Sequence, residues 1–136
     1  MRTSGPAEVS RADVELRVPA DSAFVSVLRT TTAGLAARLD FTIDDIEDLR
    51  MAVGEATALV LPAAEPGSDV VAEFFMRPGE LTINVGVPSR ATSPPGEDSF
   101  AWQVLTTLAS KASASIADRR LTISVTMQSE LQESAS

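Results

Sequence analysis

Two positions one helical turn apart, Glu55 and Leu59 in MAVGEATALVLPAA (51–64), frame the chemistry this chain can do. Residues four apart stack on one face of a helix. A carboxylate followed at that spacing by an amide can serve as general base and magnesium ligand for a nucleotide phosphate. Here the carboxylate is present, but the second position is leucine, which has no lone pair to offer. The competing reading is structural: Glu55 is a boundary carboxylate paired with an arginine or a backbone amide, because buried charges are seldom left alone.

Composition narrows the rest. The chain has 136 residues, with no cysteine and no histidine. That excludes Cys/His zinc sites, thiol nucleophiles, Ser-His-Asp triads and imidazole bases. Catalysis would have to run on carboxylates, hydroxyls or a bound nucleotide. A chain of this length makes one domain and buries roughly 68% of its unfolded surface without disulfides or metals. Apolar residues are 44% and charged residues 22%, ordinary for a globular protein. The net charge of −8 disfavours non-specific nucleic-acid binding and an anionic membrane surface, and suits a basic protein partner. MRTSGPAEVS lacks the apolar core of a signal peptide, and no apolar run nears the ~18 residues that span a bilayer. The expected compartment is the cytoplasm.

These residues need elements to hold them. Residues 1–12 carry no hydrophobic period and read as a disordered lead. VELRVPA alternates Val14, Leu16 and Val18 against Glu15 and Arg17, as a half-buried strand does. Asp21 or Ser22 caps a helix whose stripe is Phe24, Val27, Leu28, Thr31, Leu35 and Leu39, with Gly34 allowing close packing. Thr42 caps a second helix, with acids in its first turn and Ile46, Leu49, Val53, Ala56 and Val60 inward. Pro62 and AAEPGSD end it. DVVAEFFM and LTINVGV make a hairpin about RPGE, and PSRATSPPGED is an irregular loop. Ser99 caps a third helix with Phe100, Val104, Leu105 and Leu108 inward. SASIAD and LTISVTM, joined by RR, pair last, and residues 129–136 form a flexible tail. The order β-α-α-β-β-α-β-β over 13–128 predicts an α+β two-layer sandwich, helices on one face of a mainly antiparallel sheet. The single tryptophan, Trp102, is expected in the core or as an interface anchor.

From about Val14 to Met127 the element order and the wording VELRVPADSAFVSVLRTTTAGLAARLDFTIDDIEDLRMAVGEA resemble RsbW-type anti-sigma factors. These are small serine kinases with the histidine-kinase-like (GHKL) ATPase fold. The likeness is strongest over IEDLRMAVGEA, and SFAWQVLTTLAS also resembles the corresponding helix of actinobacterial members. It implies a homodimer that sequesters a sigma factor. It also implies a magnesium- and ATP-dependent kinase acting on a serine of an anti-anti-sigma partner. By the resemblance Glu55 is the catalytic carboxylate and Arg29 a sigma-factor contact. Glu47 and Asp48 lie on the expected partner-binding rim.

The departures cluster at the nucleotide. The family's metal-binding Asn falls at Leu59 and its adenine-binding Asp near Val87. The glycine-rich phosphate lid is replaced by SPPGEDSF, with Gly96 its one glycine. Prolines have no N–H to turn toward phosphate, and Glu97 and Asp98 repel it. The expectation is therefore an anti-sigma factor with a degenerate nucleotide site. It needs no cofactor and no metal, keeps at most weak ATP and magnesium binding, and is countered by an anti-anti-sigma factor. One alternative is a working serine/threonine kinase in which Glu97 or Asp98 replaces the missing metal ligand. The other is an adapter for a non-sigma partner. The VELRV strand, expected at a sheet edge, is the candidate dimer contact.

Overall fold

The computed structural model describes residues 11–96 and 98–129. Most of the lead and tail expected from the sequence, and Glu97, lie outside them. Eight main elements follow in the expected order. They are β1 (Val14–Pro19), α1 (Val25–Arg38), α2 (Ile43–Val60), β2 (Asp69–Arg77), β3 (Glu80–Pro88), α3 (Phe100–Leu108), β4 (Lys111–Ala117) and β5 (Arg120–Gln128). Short 3-10 turns, Ser22–Phe24 and Leu61–Ala63, precede α1 and follow α2.

All strand pairings are antiparallel, in the order β1-β2-β3-β5-β4. Alternation decides which face is covered. On β5, Leu121, Ile123, Val125 and Met127 are buried while Thr122, Ser124 and Thr126 stay half-buried on the other face. Leu81, Ile83 and Val85 of β3 join the same apolar layer. The helices cover that layer from one side, with α2 packed on α1, α3, β3 and β5. The two-layer α+β sandwich expected from the sequence is the observed architecture, and β1 lies at a sheet edge as anticipated. No helix among the described residues is long and apolar enough to cross a membrane.

The helix starts follow their caps. Thr42 Oγ1 accepts the Asp45 N–H at 3.1 Å, and Ser99 Oγ accepts the Trp102 N–H at 3.1 Å. Asp21 Oδ1 takes the Ala23 N–H at 2.8 Å and so starts the 3-10 turn ahead of α1.

Four side-chain assignments differ from the sequence reading. On α1 the buried positions are Leu28, Thr32 and Ala36, while Val27 is 40% exposed. The stripe is rotated because Thr32 hides its hydroxyl by donating to the Leu28 carbonyl at 2.8 Å, so a polar residue occupies the core line. Gly34 faces solvent and meets nothing within 4 Å, so it mediates no close packing. Phe100 is 79% exposed, because Trp102 and Leu105 are the residues of α3 turned inward. Ser129, placed in the tail by the sequence, is buried, and its N–H donates to the Gly79 carbonyl at 2.8 Å.

The last hairpin turns at Asp118-Arg119 rather than at the two arginines. Both turn residues have positive φ, 54° and 60°. Two-residue turns of that hand match strand twist but favour Asn and Gly. Left-handed backbone costs a non-glycine residue about 1–2 kcal/mol, and glycine returns about 0.5–1 of that as unfolded-state entropy. Arg119→Gly, at an exposed site, is therefore expected to raise stability by roughly 0.5–1 kcal/mol in urea unfolding.

Candidate functional site

The buried face of α2 sets the direction of everything else on it. Leu49, Ala52, Val53, Ala56 and Val60 are almost entirely excluded from solvent. Thr57 joins them by donating its hydroxyl to the Val53 carbonyl at 2.8 Å. With that face seated, Glu55 and Leu59 fall on a half-buried flank. Glu55 forms no ion pair or hydrogen bond through its side chain with any described residue. The expectation that it is tied to an arginine or a backbone amide is not met. Leu59 packs against the hydrophobic core.

Val87 is fully buried in the same core, paired across the sheet with Leu121. Its side chain faces the helices and presents no polar atom to a ligand. Beyond it the chain is stitched to the segment that follows α2. Ser89 forms a bridge with Ala64, and the Glu65 N–H donates to the Pro88 carbonyl at 2.9 Å. The Ser89 N–H donates to the Arg119 carbonyl at 2.9 Å, while its hydroxyl accepts the Ala91 N–H at 3.0 Å. Arg90 Nε lies 3.2 Å from Glu65 Oε2. A shallow cleft of about 510 Å³ opens at this seam, between Ala63–Pro66 and Ser89–Ala91.

Gly96 sits in the loop before α3. A Cβ built there would come 2.8 Å from Asp98 Oδ1, so a carboxylate closes over the one glycine of this segment. A carboxylate so placed would repel a phosphate brought to this glycine. Glu97 is outside the described residues. Among the described residues no group of three or more His, Cys, Asp or Glu side chains is placed to hold a metal ion.

The partner-contact candidates lie on the outer side of the α1–α2 pair. Arg29 is exposed, and its side chain lies across α2 at Gly54, where an added Cβ would approach Arg29 Nε to 3.3 Å. Gly54, next to Glu55, went unremarked in the sequence. A glycine inside an otherwise strong helix pattern is the signal that could have found it. Glu47 is exposed and faces Arg50 at 3.9 Å, a surface pair worth about 0–1 kcal/mol. Asp48 is half-buried. Burial, and then the neighbouring Asp45 and Asp44, push its carboxyl above the ordinary range. Glu47 and Gly54 are about 10 Å apart along the helix axis, so Arg29 and the acids flank one surface without meeting.

Val87 is therefore in the core, Leu59 packs against it from a half-buried flank, Gly96 lies in the loop before α3, and Glu55 adjoins Gly54, which Arg29 overlies. Arg90 and Glu65, joined only by the tertiary fold, were not among the sequence candidates.

No family model matches the chain. The serine-protein kinase RsbW of Halalkalibacterium halodurans is 42% identical to it over 73 residues, 53% of this chain and 45% of that protein. RsbW of Bacillus thuringiensis is 34% identical over 74 residues, 53% and 46% of the two chains. The chain thus spans about half the length of the curated relatives it matches. Among solved structures, the RsbU and RsbW domains of a Mycobacterium tuberculosis protein superpose with a TM-score of 0.63. That match covers 85% of this chain and 32% of the other at 15% identity, a likeness of fold. The resemblance to RsbW-type proteins read from element order and wording is borne out.

Ionised Asp48 weakens the fold, because the folded state holds the proton more tightly than the unfolded chain does. The penalty is full above the raised pKa and disappears as the pH falls below the ordinary value of 3.8. Asp48→Asn should therefore increase urea stability at pH 7, with the gain gone at pH 3.

Proposed function

We propose that this chain is an anti-sigma factor of the RsbW type. It binds and sequesters a sigma factor through the outer surface of α1 and α2, and it works without efficient phosphoryl transfer. The similarity to RsbW proteins supports the class. The observation that carries the non-catalytic form is the placement of Leu59 and Val87. Both positions where the family offers a magnesium ligand and an adenine contact hold aliphatic side chains committed to the core. Full burial of a side chain such as Val87 is worth roughly 1.5–3 kcal/mol and half-buried Leu59 adds less, so the fold itself resists exposing them to a polar ligand.

The proposed mechanism is competition by binding. Arg29 meets an acidic or backbone-carbonyl feature of the sigma factor, while Glu47 and Asp48 meet basic groups. The net charge of −8 speeds encounter with basic segments. An anti-anti-sigma partner displaces the sigma factor by competing for the surface. On this reading the protein acts in the cytoplasm as a homodimer, with the open β1 edge supporting self-association.

A second reading rests on Glu55. An unpaired carboxylate on the rim is what a general base needs, and it favours a kinase with an atypical ATP site. Against it, magnesium would lack an oxygen ligand at Leu59. The adapter reading has the same surfaces with a different client.

Two measurements separate these readings. Three lost contacts of about 1.5–3 kcal/mol each would weaken nucleotide binding by roughly 10³-fold or more. A fluorescent ATP analogue with magnesium should thus show at best millimolar affinity, with no phosphate transfer to an anti-anti-sigma protein. Tight binding and transfer, both lost in Glu55→Ala, would overturn the non-catalytic form. Tagged protein drawn from its native lysate should bring down a sigma factor, and Arg29→Ala should weaken that complex about tenfold. Recovery of an unrelated partner without sigma factor or RNA polymerase would establish the adapter instead.

A further inference from the structure

The β4 strand forms the second edge of the sheet, with no strand paired on its outer side among the described residues. Natural edges are usually blunted by proline, by charge or by a covering element. KASASIA has no proline and a single charge, Lys111 at its start. Its helix-side residues are Ala112, Ala114 and Ile116, of which the first two are small. Beside them a hollow of about 370 Å³ opens, bounded by Pro94, Pro95, Trp102, Ala112, Ser113 and Ala114. Trp102 is only 8% exposed and gives the hollow an aromatic wall.

Edge and hollow fit one kind of ligand. A strand added beside β4 would set alternate side chains about 4.5–5.5 Å from Ala112 and Ala114, at the mouth of the hollow. The alanines leave that volume unfilled. Lys111, the chain's one lysine, makes no ion pair with a described residue. A second copy pairing through its own β4 would bring Ile116 as its one bulky group.

We propose that the β4 edge is a docking site for an extended segment of a partner protein. The segment adds as a sixth strand, seats one bulky apolar side chain against Trp102 and sets an acidic side chain beside Lys111. Backbone hydrogen bonds would supply affinity, and the hollow and Lys111 the choice of sequence. The site is separate from the α1–α2 surface and does not depend on the proposed function.

The single tryptophan makes the test direct. Nine-residue peptides of alternating Thr and Val, with a central Phe or Ala and a terminal Glu or Lys, would be titrated to millimolar concentration. Trp102 fluorescence and the amide resonances of residues 111–117 are followed. The Phe/Glu peptide is expected to shift both, and to bind at least tenfold more tightly than the Ala/Glu peptide. Ala114→Leu, which fills the hollow from within, should abolish that difference. Lys111→Glu, a surface change without risk to the core, should reverse the preference from Glu to Lys. Equal binding of all four peptides, shifts confined to β1, or β4 shifts that follow protein concentration rather than peptide would each overturn the proposal. Silence at both probes would do so as well.

Discussion

The rest of the structure depends on how α2 is seated. Its apolar face lies on β3 and β5 and is flanked by α1 and α3, so one helix touches both layers of the sandwich. A helix buried along five apolar positions cannot rotate without exposing several of them, at about 0.8 kcal/mol per methylene. That rigidity transmits to every residue on its other faces. Glu55 is held at a rim, Leu59 is pulled against the core, and Gly54 is turned toward α1, where it leaves room for Arg29.

The same seating bears on the proposed loss of a nucleotide site. On that proposal, a phosphate or adenine site at the end of β3 would need polar side chains where the helix and sheet layers part. This chain puts Val87 and Leu59 at those positions; Val87 is in the core and half-buried Leu59 packs against it. Beyond Val87, the Ala64–Ser89 bridge and the Glu65–Arg90 pair stitch the β3 exit to the α2 exit. Asp98 lies against Gly96 in the loop. The outer surface of α1 and α2 has no such constraint, and it leaves Arg29 and Glu47 exposed.

Much of this was legible before any coordinates. The alternation of β5 and the three-four spacing of α2 are local signals, and local signals survive in a linear string. Thr42 and Ser99 were readable as caps for the same reason, since a cap bonds to a residue two or three positions away. The rotation of α1 was not readable. Thr32 counts as polar in a pattern, yet it is buried once its hydroxyl has found the Leu28 carbonyl. Phe100 failed in the opposite sense: it is apolar, but it stands at the first position of α3, on the side away from Trp102 and Leu105.

What the amino-acid order determined by itself was the class: which segments pair, which cap, and which carboxylate stands alone among apolar neighbours. It also carried the similarity to RsbW proteins, which extends over about half of the chain. Only the tertiary structure decided that Glu55 has no side-chain partner among the described residues, that Arg29 crosses to Gly54, and that Arg90 reaches Glu65. It alone set Trp102 beside an open strand edge. These contacts join residues far apart in the chain or on neighbouring helices, and their distances depend on how layers pack rather than on any local preference. The fold was therefore read from periodicity, while the surroundings of each functional side chain had to wait for the packing.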